Sequence, residues 1–302
     1  MGKSKIQRKL PLYLMCAIPL LHVFIFSYLP MFGVTIAFKD YRFDKGIFGS
    51  EWVGFKNFEF LIKSNDFARI TRNTLCLNFT FIIINLICAV SVALLFYYIG
   101  RKTLLKAYQT TLIVPHYMSW VVVGYMAYAF LNPQYGFING TLSKLGLKGI
   151  DWYSKPEYWP VILALFSVWK NVGLNAVTYY ASLMGIDVSL IEAAKVDGAT
   201  EFQVSRYIII PHLRRLMIIL TLLAVGGIFR SDFGMFYQLT RDVGALYPTT
   251  DVIDTYVYRV MKSVGDMSMS SAVGLLQSFV GFITIVTVNL IVKKIDPESS
   301  LF

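Results

Sequence analysis

Five stretches of this chain, 10–38, 73–100, 107–133, 158–184 and 268–292, run for 25 or more residues with Lys170 as the one charged side chain among them. A helix rising 1.5 Å per residue crosses the ~30 Å hydrocarbon core of a bilayer in about 20 residues, so each stretch is long enough to span. A sixth run, 216–229, holds 14 uncharged residues between Arg215 and Arg230. It reaches spanning length if Arg214 and Arg215 snorkel at the interface and residues 208–210 supply the entry. With 56% hydrophobic residues and a mean hydropathy of +0.58, the chain reads as an all-α membrane protein of six transmembrane helices. An even number of spans puts both termini on one side.

The same runs divide the chain. Residues 1–38 form an amino-terminal tail and first span, 39–72 a loop, 73–292 a core of five spans and 293–302 a tail. Lys3, Lys5, Arg8 and Lys9 precede the first run, which is too long for a signal peptide and lacks a small-residue cleavage site. Ile6 stands where a myristoylation signal requires Ser or Thr. With the amino end inside, the inner segments hold 13 Lys and Arg in 54 residues and the outer ones 14 in 98, with twice as many acids outside. The higher inner density predicts cytoplasmic termini, and Arg101, Lys102 and Lys106, with no acid among them, agree.

Charge and chemistry exclude several classes. The net +10 is scattered over loops, which suits an anionic membrane surface rather than nucleic acid. Cys16, Cys76 and Cys88 lie in apolar runs, and His22, His116 and His212 lie far apart, so neither a disulfide framework nor a metal site is expected. No acid falls inside a span, which speaks against an ion-coupled transporter and an intramembrane enzyme alike. No GxxxxGK[ST] phosphate loop is present, so the chain itself is not expected to hydrolyse ATP and no cofactor is expected on it.

Lys170 is costly by position, roughly 18 Å into its run, where a lysine costs about 2.5 to 3.5 kcal/mol. It is expected to face a wet cavity, a partner or a polar ligand, unless it satisfies a helix end. Trp169, Asn171, Asn175 and Tyr179 lie near it, the last three at four-residue spacing on one face. Aromatic faces with amide and ammonium donors suit sugar rings and hydroxyls; interhelical hydrogen bonding is the alternative. Asn78, Asn85, His116 and Tyr117 read as polar glue between spans. Asp232, Asp251, Asp254 and Arg259 read as a solvated face of the last outer loop.

The most amphipathic stretch is 192–211, EAAKVDGATEFQVSRYIIIP. Ser189 with Glu192, and Thr200 with Gln203, fit two capping boxes, and Gly198 falls where a helix from about 190 to 197 must turn out at positive φ. Glu192 and Lys195 are spaced to pair on its surface. So short a helix is unstable alone and needs a partner surface, for which Leu190, Ile191, Ala193, Ala194 and Val196 are available.

Glu192, Ala193, Ala194, Gly198, Ile208 and Pro211 stand at the spacing of the EAA loop of ABC-importer permeases, with Asp197 completing a DGA triplet; Ile210 replaces the usual Leu. The chain resembles that family. Its PMFGVTIAFKDY, WVGFKNF, RNTL, QTTLIVPHYMSWVVV and DVIDTYVYR segments are similar to those of the oligosaccharide and polysaccharide branch. The loop alone would equally suit importers of amino acids, peptides or metals; those segments favour sugars. The resemblance implies a type I, MetI-like fold in a bacterial cytoplasmic membrane and a coupling helix at Glu192–Asp197. It also implies a second homologous permease, two cytoplasmic ATP-binding-cassette subunits using ATP and Mg, and an extracellular solute-binding lipoprotein.

Overall fold

A computed structural model describes residues 5–301, so Lys3 and its neighbours in the amino-terminal tail lie outside the described residues. The helices in chain order are α1 (Lys5–Val23), α2 (Gly46–Gly49), α3 (Lys56–Lys63), α4 (Phe67–Tyr98), α5 (Lys102–Tyr117), α6 (Trp120–Leu131), α7 (Phe137–Lys144), α8 (Trp159–Leu183), α9 (Val188–Val196), α10 (Glu201–Val204), α11 (Ile210–Gly226), α12 (Phe233–Thr240), α13 (Tyr247–Thr250), α14 (Ile253–Val264) and α15 (Met267–Ile295). A two-residue antiparallel pair, β1 (Lys39–Asp40) and β2 (Glu51–Trp52), is the one sheet among the described residues.

Among the described residues, five helical segments are long and apolar enough to cross a membrane: Leu12–Phe38, Phe67–Tyr98, Pro156–Leu183, Glu201–Gly226 and Met267–Ile295. The short fifth run acquires its length as expected, because α10, a π turn at Ser205–Ile209 and α11 join into one 26-residue segment with Pro211 in its first turn. The run at 107–133 is interrupted. That run breaks into α5 and α6, bent by 98°, and makes a sixth span only if the pair is taken together. Pro115 removes a donor near the end of α5, and Ser119 caps α6 by accepting from the Val121 N–H, so the chain restarts in a new direction.

The chain forms two compact units, 1–65 with 257–277, and 66–256 with 278–302. In the first, Phe38, Trp52, Phe55 and Phe58 form an aromatic cluster, and Asn57 donates to the carbonyls of Ala37 and Lys39. Beside that cluster, Lys39 pairs with Trp52 and Asp40 with Glu51.

In the second unit α8 packs against α4, α5 and α11. Its cores lie at opposite ends. Trp159, Leu163, Phe236, Leu239 and Leu246 centre one, while Tyr179, Leu183, Ile191, Val204, Ile209 and Leu213 centre the other, beneath α9. Three helix crossings among the described residues are tight enough to demand glycine: a methyl on Gly173 would sit 1.8 Å from the Leu112 carbonyl oxygen, one on Gly281 2.7 Å from that of Gly226, and one on Gly124 2.8 Å from that of Gln238. The expected solvated face holds at Asp232, which is exposed, and is corrected at Asp251. Asp251 is 1% exposed and paired with Arg69 at 3.1 Å, Asp232 accepts from Trp120 Nε1 at 2.6 Å, and Asp254 accepts from the Ser231 N–H at 2.8 Å. The partners of Asp251 and Asp232 lie 182 and 112 residues away in sequence.

Candidate coupling loop and translocation cavity

The loop at 187–211 is built by local hydrogen bonding. Asp187, not Ser189, caps α9: its carboxylate accepts from the Ser189 N–H at 3.0 Å, which holds the Asp187 carboxyl below its usual range. The second box forms as expected, with Gln203 N–H donating to Thr200 Oγ1 and Thr200 N–H to Gln203 Oε1. Between them Gly198 takes φ +85°. The Gly198 N–H donates to the Lys195 carbonyl and the Ala199 N–H to that of Ala194, so α9 ends in a complete Schellman turn. Lys195 pairs with Glu201 at 2.8 Å rather than with Glu192, and that hydrogen bond raises the Lys195 pKa. Both side chains are about half exposed, so solvent screens the pair and it contributes little to stability.

Ile191, 5% exposed, is the side chain that seats α9 on the core. Tyr98 in α4 donates to the Glu201 carbonyl or shares a proton with Ser205 Oγ, tying α10 to the same end of the bundle. Glu192, Ala193, Asp197 and Gly198 remain exposed. Leu190 and Val196 beside them are 58% and 87% exposed, so α9 offers a mixed apolar and acidic face.

A cavity of about 310 Å³ lies between α4, α8 and α11. Asn171, Asn175 and Tyr179 line it from α8, Phe81, Asn85 and Ala89 from α4, and Thr221 from α11. The predicted face is therefore real, and Asn85 joins it. Asn85 donates to Ser167 Oγ across the α4–α8 contact, while its Oδ1 is buried without a partner. Asn78 donates to the carbonyls of Ile228 and Arg230 and so works as interhelical glue.

Lys170 is corrected. It is 7% exposed, and its Nζ donates to the carbonyl oxygens of Pro115 at 3.3 Å, His116 at 3.0 Å and Met118. The Trp120 ring lies 4.9 Å away. Lys170 thus satisfies the end of α5 at its break with α6, where the helix exposes orphan carbonyls and the negative end of its dipole. Neither Lys170 nor Trp169 lines the cavity. Sequence signals for this pairing did exist in Pro115 and Ser119, which mark the helix end that Lys170 serves.

Apolar helices of spanning length around a partly polar cavity, with a capped helix exposed at one end, define a polytopic membrane permease. The family described as "Binding-protein-dependent transport system inner membrane component" matches residues 75–297, and the chain belongs to that family. It is an integral membrane permease subunit of an ABC importer. Protein LplB of Bacillus subtilis (strain 168) is 35% identical over 95% of this chain and 90% of its own length. The polygalacturonan/rhamnogalacturonan transport system permease protein YteP of the same organism is 32% identical over 95% and 89%. A chain from the crystal structure of a bacterial ABC transporter involved in import of the acidic polysaccharide alginate superposes with TM-score 0.86 at 30% identity, covering 97% of this chain and 98% of that one.

Proposed function

We propose that this subunit translocates an oligosaccharide or polysaccharide fragment delivered by an extracellular solute-binding lipoprotein, with a second homologous permease completing the path. Two cytoplasmic ATP-binding-cassette subunits, which carry the ATP and Mg, seat on the exposed face of α9, and both termini lie in the cytoplasm. The observation that carries this reading is a shared side-chain cluster. Ile191 of α9 packs in the same core as Ala89 and Tyr179, and both of those also line the cavity. A push on α9 is delivered through close-packed atoms to the cavity wall, because such cores transmit displacement rather than absorb it. Asn85, Asn171, Asn175 and Tyr179 present amides and a phenol suited to sugar hydroxyls. Two further observations support the substrate class: the matched YteP is named for polygalacturonan and rhamnogalacturonan, and the superposed transporter for alginate.

The test is ATP hydrolysis and sugar uptake by the complete complex in proteoliposomes, with candidate receptors and oligosaccharides supplied outside. Stimulation by a receptor–sugar pair is expected. Gly198→Val adds no clash, since nothing lies within 4 Å of a side chain there, but it forces a β-branched residue into φ +85°. The cost of about 1–3 kcal/mol falls on the turn alone. Uptake should drop severalfold while membrane insertion and basal ATP hydrolysis persist. Full uptake by Gly198→Val would remove the turn from the coupling route, and hydrolysis that ignores every oligosaccharide would remove the sugar.

A further inference from the structure

At the end of the bundle remote from α9, α12 closes on α6. A methyl on Gly124 would lie 2.8 Å from the Gln238 carbonyl oxygen, so the two backbones nearly touch. Beside that contact is a pocket of about 160 Å³ lined by Val121, Gly124, Tyr125, Tyr237, Gln238 and Arg241. The residue ending α12 is Arg241, in the left-handed region at φ 56°, followed by Asp242 at φ 53°. Glycine or asparagine normally takes such a position, because a Cβ there is strained. An arginine followed by a second strained residue is held only by a turn that is over-determined. It is: Asp242 N–H donates to Thr240 Oγ1, Val243 N–H to the Thr240 carbonyl, and Tyr247 Oη to the Asp242 carbonyl.

The strain sets the guanidinium over the Tyr128 ring, 4.1 Å from its centroid. Stacking of this kind fixes the plane of the group and leaves its edge N–H donors pointing away from the ring. No ion pair among the described residues uses Arg241. Nor does the nearby Tyr153 phenol offer an anion, since burial pushes its pKa up to about 12.

We propose that Arg241, with Tyr125, Tyr237 and Gln238, forms a subsite for a carboxylate-bearing sugar, a uronate unit of the oligosaccharide. The guanidinium edge takes the carboxylate in a two-point, charge-assisted contact. Gln238 matches a ring hydroxyl, and the two tyrosines supply flat faces for the apolar side of the sugar. This inference rests on the oligosaccharide reading and adds to it the charge of the substrate and the residues that read it.

The experiment uses the complete complex in nanodiscs and measures binding and stimulated ATP hydrolysis with tetragalacturonate and with its fully methyl-esterified, uncharged counterpart. The wild-type complex should respond to the acid and much more weakly to the ester. Arg241→Gln should weaken the response to the acid roughly tenfold to a hundredfold, the loss of a charge-assisted pair, and leave the ester unchanged. Arg241→Lys should recover part of it. Equal responses to acid and ester, or Arg241→Gln with wild-type response to the acid, would overturn the subsite and leave the sugar reading standing. Loss of docking by sugar-free receptor in Arg241→Gln would overturn it in favour of a protein carboxylate. If no oligosaccharide, acidic or neutral, stimulates hydrolysis, the broader sugar reading falls with it.

Discussion

Gly173→Ala is expected to prevent the permease from folding to a stable bundle. The added methyl would stand 1.8 Å from the Leu112 carbonyl oxygen and 2.3 Å from its carbon. Those are backbone atoms of α5, so no rotamer change can make room. Relief requires moving α5 and α8 apart along a crossing that also carries the Lys170 contacts. Overpacking typically costs about 1–3 kcal/mol where side chains can shift; against a rigid main chain the cost should exceed about 4 kcal/mol. The measurement is the yield of monodisperse protein in detergent and its thermal midpoint. Gly140→Ala is the control, because nothing lies within 4 Å of a side chain at that position in α7. A Gly173→Ala protein as stable as that control would show the crossing to be looser than described.

The second large effect is expected at Lys170. Lys170→Met keeps the length and apolar stem but withdraws the donor from three carbonyls at the α5–α6 break. Each buried acceptor left without a partner costs about 1–3 kcal/mol, partly offset because the buried ammonium no longer has to be desolvated. A net loss of roughly 2–4 kcal/mol follows. The pattern of kinetics separates this role from a substrate contact. Lys170→Met should lower thermal stability and the amount of active complex while leaving the half-saturating sugar concentration of the surviving fraction unchanged. Asn175→Ala, which trims a cavity wall, should do the reverse. Altered sugar affinity with full stability in Lys170→Met would return the lysine to the translocation path.

These two residues also show what a sequence discloses. Gly198 and the Thr200–Gln203 box were readable because their partners lie within five residues, and short-range backbone geometry is written locally. The face of Asn171, Asn175 and Tyr179 was readable because helical periodicity fixes which residues share a side. Lys170 was legible as an expensive residue, but its destination was not, since the carbonyls it serves lie more than 50 positions away in a helix whose end had to be recognised first. Ser119 signalled that end, yet an unbroken apolar run from 107 to 133 outweighed it. Asp251 failed for a related reason: four acidic or basic residues in a polar loop look solvated until Arg69 is brought beside one of them. The Asp187 cap was missed more simply, because Ser189 offered an equally good local pattern two residues later.

The glycine crossings bear on where this bundle can yield. α5 and α8 meet backbone to backbone at Gly173, and α11 meets α15 in the same way at Gly226 and Gly281. Between Leu213, fully buried in the core beneath α9, and Gly226, α11 borders the 310 Å³ cavity on one flank and an apolar groove of about 580 Å³ on the other. Stiffness is therefore unevenly distributed, with one fused pair and one helix held at both ends and bordered by open space between them. A torque arriving through α10 would be taken up along the middle of α11, as in a rod clamped at both ends, before it shifted either anchor.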